Sequence, residues 1–318
     1  MMNVRNAYWC VQNRYQGVHG MKTGLKGLTM LLSFLLWCSV LSAAKADSNT
    51  VNVFVSILPQ AYFVERIGGS HVDVDVLVEP GHSPATYEPT PKQMAKLEKS
   101  QVYFRIGTPF EKGFIGKISG ILKNVKIVDT RRDVPFRYFE ASLGKDNPDP
   151  HIWLDPKLVK IQADTIYAAL REIDPVHEET YKKNVRAFKD DLDAVDAKIA
   201  EILAPVHGET IYVFHPAFGY FCDAYGLRQV AVEVDGKEPS PKQLSHLIGQ
   251  AKKDGVKVIF VQPEFSTKNA GVIAQAIGGA VVPMDPLARD YLNNLDIMAN
   301  RIQEALSHSK RPGNDLKK

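Results

Sequence analysis

Cysteine is nearly absent: the 318 residues contain three, and two of these, Cys10 and Cys38, precede the point where the mature chain is expected to begin. Cys222 alone then remains, so no intramolecular disulfide is available even in an oxidising compartment, and stability has to come from packing. The common enzyme signatures are missing as well, with no GxGxxG, P-loop, GxSxG or HExxH sequence anywhere. Cys222 follows Tyr220 and Phe221 and has no basic neighbour to lower its pKa, which argues against a nucleophile. There is no apolar run of membrane-spanning length either. The stretch 28–41 (LTMLLSFLLWCSVL) falls short of the ~20 residues that a span needs. Lys22 and Lys26 precede it, and Ala44 and Ala46 supply small residues at the two positions that a signal peptidase reads. This predicts an export signal that starts at Met21 and is cleaved after Ala46, giving a periplasmic protein. Trp37 is too bulky for a lipid-attachment motif, and Cys38 lies inside the apolar run, so no lipid anchor is expected. Charge of one sign is scarce too. The chain carries a formal +3, but five basic and no acidic residues lie in 1–46, so 34 basic face 36 acidic residues in the remainder, a net −2. Nucleic acid is not an expected partner of such a surface.

What is present is a repeated alternation of strand and helix. Runs at 51–57, 72–78, 102–106 and 125–128 read as strands, with helical patterns at 61–67 and 91–97. The rhythm returns with strands at 210–214, 229–234, 256–261 and 280–283, and helices at 218–225, 241–253, 270–277 and 293–307. Between the two sets, Tyr181, Val185, Phe188, Leu192, Val195, Ile199 and Ile202 recur in steps of three and four, which predicts one long amphipathic helix of roughly 35 Å. The expected fold class is α/β: two lobes, each a mainly parallel sheet flanked by helices, joined by one long rigid helix. The expected division is a presequence at 1–46, an N-terminal lobe at 47–176, the linking helix at 177–204 and a C-terminal lobe at 205–318.

In open α/β sheets ligand-binding groups project from loops at the carboxyl ends of strands. Four such places carry metal-compatible side chains: His82 in PGHSPATYEPTP, His151 in HIWLDP, His215 in HPAFGYF and Asp285 in MDPL. Three imidazoles and a carboxylate make a four-coordinate site suited to Zn²⁺, and usable by Mn²⁺ or Fe²⁺. A single histidine after a strand is more often a hydrogen-bonded core residue, so the joint placement carries the argument. His71, His177, His207, His246 and His308 do not share it and read as solvated or structural. Asp155 and Ser240, each followed by proline, read as helix caps, and Glu88 as a possible orienting partner of His82. The alternative from another class is a zinc hydrolase with three protein ligands and a water, using Glu88 or Glu264 as general base.

These motifs, in this order and at these separations, resemble the solute-binding proteins of zinc/manganese-type ABC transporters. The resemblance spans nearly the whole mature chain. It implies two α/β lobes bridged by a rigid helix, one metal ion buried in the cleft, and delivery of that ion to a membrane permease; the expected protein is a monomeric, non-enzymatic carrier. It also implies His151, His215 and Asp285 as the second, third and fourth ligands. The first ligand departs from the pattern, because the family's histidine falls on Ala85, which has no donor atom. Either His82, three residues upstream, replaces it, or water completes a three-ligand site. Histidine rather than glutamate at 215 favours zinc, whereas the segment 140–149 (EASLGKDNPD) lacks the histidines that zinc-specific members often carry there. Binding through neutral imidazoles predicts an affinity that drops below pH ~6.5.

Overall fold

A computed structural model describes residues 50–309 apart from 119, 121, 140–147 and 234–238. The expected export signal with its cleavage after Ala46, and the chain end from Lys310 on, lie outside the described residues. The N-terminal half runs β1 (Val51–Val55), α1 (Leu58–Gly68), β2 (Val72–Val76), α2 (Pro91–Leu97), β3 (Val102–Arg105), α3 (Pro109–Ile118) and β4 (Lys126–Asp129). Its four strands are all parallel in the order β2-β1-β3-β4. In the central strand β1, VNVFV, only Asn52 is exposed, as a strand covered on both faces requires.

The chain continues through α4 (Pro156–Ile173) and α5 (Glu178–Leu203) into β5 (Thr210–Val213), α6 (Gly219–Tyr225), β6 (Arg228–Ala231), α7 (Pro241–Lys253), β7 (Val258–Val261), α8 (Thr267–Ile277), β8 (Ala280–Pro283) and α9 (Tyr291–Ser309). The second sheet repeats the first, parallel throughout in the order β6-β5-β7-β8. The expected fold class is thus the observed one, two parallel sheets flanked by helices with one long helix between them. Among the described residues no helix is long and apolar enough to cross a membrane.

Helix α5 buries Tyr181, Val185, Phe188, Leu192, Val195, Ile199 and Leu203. The stripe is the expected one except at its end, where Leu203 is buried and Ile202 only partly so. It packs against α1, α4 and α9. In β5 the period-two alternation divides the core: Ile211 and Val213 join the large cluster shared with β1, β3 and α5, while Tyr212 joins a smaller one with Ile259 and Ile273. Asp155 and Ser240 cap α4 and α7 as expected, Asp155 accepting from the Lys157 N–H and Ser240 from the Gln243 N–H. Periodicity missed α4, which only its Asp155 cap announced, and helix α3. Gly113 and Gly116 interrupt its ten residues and weaken the local signal.

Candidate metal centre

Strand register builds the site. Val213 of β5 lies opposite Ala231 of β6 and Phe260 of β7. Two residues beyond these partners, at the carboxyl edge of the sheet, stand His215, Glu233 and Gln262, side by side. Glu233 Oε1 accepts from His215 Nδ1 at 2.8 Å. The Gln262 amide grips the His215 main chain from both sides, accepting from its N–H at 3.2 Å and donating to its carbonyl at 2.7 Å. The Phe265 ring stacks on the imidazole at 5.1 Å between centroids.

His151 opens the segment that leads into α4 and is buried. Asp149, fully buried, accepts through Oδ1 from both His151 Nδ1 (2.6 Å) and the His151 N–H (3.0 Å). Arg137 Nη1 donates to the other oxygen, Oδ2, at 2.9 Å. Burial pushes the Asp149 carboxyl upward, but His151 and Arg137 outweigh it and hold the group below the ordinary carboxylate range. Burial also lowers the His151 imidazole, against the opposing pull of Asp149. That ring therefore stays neutral to more acid pH than an ordinary histidine would. Trp153 Nε1 donates to the Pro286 carbonyl at 2.8 Å and Tyr291 Oη donates to the Trp153 carbonyl at 2.6 Å, which ties HIWLDP to the segment that carries Asp285.

A carboxylate can only accept, so each Nδ1 that it binds must carry a proton, and each neutral ring then turns a bare Nε2 lone pair outward. The two Nε2 atoms face each other at 3.3 Å. When both rings are neutral the two lone pairs at that distance repel, and a cation between them relieves the repulsion. The pair borders a cavity of about 370 Å³ whose walls include Ala85, Thr108, Trp153, Glu264 and Leu287. Among the described residues no third donor stands at coordination distance from the pair.

Asp285 is half-buried, with Oδ1 accepting from the Leu287 N–H at 2.7 Å and its carbonyl accepting from Asn294 Nδ2 at 2.7 Å. Burial raises its carboxyl above the usual range. Glu264 is pushed up to about 7 by burial, with Asp285 adding to the shift and His215 opposing it. The structure does not bring His82 to this group. His82 is exposed, its N–H donates to the Glu79 carbonyl, and its ring meets Tyr87 edge-on at 5.8 Å. Ser83, Pro84 and Ala85 line the cavity instead. Glu88 is exposed. Sequence reading missed Glu233, Gln262 and Arg137. Of the carboxylate partners, only Asp149 stands close enough along the chain, two residues before its histidine, to have been found.

A family model described as zinc-uptake complex component A, periplasmic (ZnuA), matches residues 53–305. A crystal structure of ZnuA aligns with a TM-score of 0.77 at 39% identity, over 81% of this chain and 99% of that one. The high-affinity zinc uptake system protein ZnuA of Bacillus subtilis is 27% identical, over 78% of this chain and 82% of its own length. The iron-binding protein YfeA of Yersinia pestis is 26% identical, over 70% of this chain and 74% of its own. The hydrolase alternative finds no support: one of its two candidate bases, Glu88, faces solvent, and these relatives are named for metal uptake or binding.

Proposed function

The chain belongs to the family of periplasmic zinc-uptake components, and from that premise we propose that it is a periplasmic, non-enzymatic carrier that takes up one divalent transition-metal ion and delivers it to an ABC permease. The observation that carries this reading is the pair of Nε2 atoms 3.3 Å apart, each ring anchored through Nδ1 on its own buried carboxylate. Zinc–nitrogen bonds of 2.0–2.1 Å in a tetrahedron put two imidazole nitrogens about 3.3–3.4 Å apart. The His151 and His215 rings stand at that separation, held there by Asp149 and Glu233, so the fold itself sets the spacing that such a site requires. This geometry favours Zn²⁺ as the cargo over ions that prefer octahedral oxygen sites.

In this reading His151 and His215 are the first donors to engage, and Asp285 supplies a carboxylate from the loop after β8. Asp149 and Glu233 hold the rings in the tautomer that binds and increase their basicity. Calorimetric titration of the purified chain with Zn²⁺ tests it. One ion per chain is expected, with affinity reduced in His151→Ala and in His215→Ala by more than the ~10–100-fold that loss of an outer-shell partner costs. Unchanged isotherms in both variants would overturn the site.

A further inference from the structure

The loop that follows β2 presents Ser83, Pro84 and Ala85 to the cavity, and none of the three carries an imidazole or a carboxylate. Ala85 has only a methyl group, and the Ser83 hydroxyl, which accepts from the Ala85 N–H at 3.3 Å, is a neutral oxygen that zinc sites seldom use. His82, on the same loop, is turned to solvent against Tyr87. The donor that this loop lacks is available from another wall. Glu264 stands between two residues that both hold His215: Gln262, which clamps its main chain, and Phe265, which stacks on its ring. Register places it from the other side as well. Val261 of β7 lies opposite Pro283 of β8, so the chain leaves both strands at the same sheet edge, and Glu264 is close enough to Asp285 for the two carboxyls to interact electrostatically. Its half-buried side chain lines the same cavity as His151 and His215.

We propose that Glu264 is the fourth donor, completing with His151, His215 and Asp285 a site of two imidazoles and two carboxylates in place of the imidazole that Ala85 does not supply. This rests on the carrier reading above and deepens it. Two carboxylates neutralise a divalent ion, and oxygen donors suit harder cations better than a third nitrogen would. The site accordingly discriminates less sharply against Mn²⁺ and Fe²⁺ than a three-imidazole site does.

The test compares the wild-type chain with Glu264→Gln, His82→Ala and His151→Ala by calorimetry with Zn²⁺ and with Mn²⁺, and by zinc K-edge X-ray absorption. Glu264→Gln keeps the size of the side chain, and an unchanged apo melting temperature establishes that it is folded. The expected result is a loss of at least about tenfold in Zn²⁺ affinity and a larger loss for Mn²⁺, with two imidazoles still seen in the absorption spectrum and His82→Ala unchanged. Wild-type affinities and spectrum in Glu264→Gln would overturn the proposal. So would a third imidazole in the wild-type spectrum that disappears in His82→Ala. His151→Ala separates the two levels: if it loses binding while Glu264→Gln does not, only the fourth donor is wrong, and if it too binds normally the carrier site itself fails.

Discussion

Gly219 shows how far from the imidazoles the constraints on them reach. A Cβ at this position would lie 1.8 Å from Arg137 Nη1 and 2.8 Å from Asp149 Oδ2. Glycine where α6 begins thus lets the Arg137–Asp149 ion pair pass close over the backbone, and a side chain there has to displace it. Arg137 is held there by three more contacts, its Nε donating to Asp223 Oδ2 at 2.9 Å, its N–H to Tyr220 Oη at 3.0 Å, and its guanidinium lying over the Tyr220 ring. In Gly219→Ala the guanidinium has to move, and Asp149 stays buried with one fewer charged partner. The expected cost is about 1–3 kcal/mol of stability. Zn²⁺ affinity should fall by about 10–100-fold, since Asp149 orients His151. Urea unfolding and calorimetry check the two effects, and a variant that loses stability with affinity intact would show that Arg137 matters to folding alone.

At the scale of elements, the junction between α4 and α5 carries a carboxylate with a structural task. Asp174 ends α4, and its Oδ2 accepts from His177 Nδ1 at 2.6 Å and from the Tyr181 hydroxyl on the first turns of α5. His71, which follows α1, stacks on His177 with centroids 3.7 Å apart, so the corner joins three helices. Burial opposes ionisation of Asp174, but the hydrogen bonds from Tyr181 and His177 outweigh it and hold the carboxyl below the ordinary range. A depressed carboxylate stabilises the fold fully above its unfolded value of about 3.9, and that contribution disappears as pH falls through the lower folded value. Asp174→Asn is expected to be less stable than wild type at pH 7 by about 1–2 kcal/mol, with the gap closing towards pH 2. A gap that is the same at both pH values would mean that charge at this corner is irrelevant.

For the whole molecule, the segments that carry the candidate donors are joined by specific ties rather than by a flexible connection. Helix α5, 26 residues long, spans about 39 Å at 1.5 Å per residue and packs on α1, α4 and α9. Trp153 and Tyr291 lock the HIWLDP segment to the C-terminal residues that follow β8. An ion that binds only the folded arrangement has to stabilise it by mass action. With free Zn²⁺ at 100 times the dissociation constant, the expected gain is about 2.7 kcal/mol. Thermal unfolding with and without Zn²⁺ measures it, and an identical melting temperature in His151→Ala with and without the ion is the control. No metal-dependent shift in wild type would contradict one-site binding to the native state.

What the amino-acid sequence determined by itself is what depends on near neighbours along the chain. The alternation of β-branched runs with helical patterns specified two parallel α/β sheets, and the steps of three and four from Tyr181 specified α5. Histidines placed just after strand or loop signals, at 151 and 215, were legible as candidate donors for the same reason. Tertiary structure alone decided the rest. Glu233 and Gln262 meet His215 only because of the register in which β5 pairs with β6 and β7. Arg137 meets Asp149 directly over Gly219, where no side chain intervenes. The prolines of the 80–91 loop marked it as stiff, but not in which direction its side chains point. Stiffness is a local property of the backbone. Which residue faces the cavity, Ala85 rather than His82, follows from long-range packing that no window of the sequence contains.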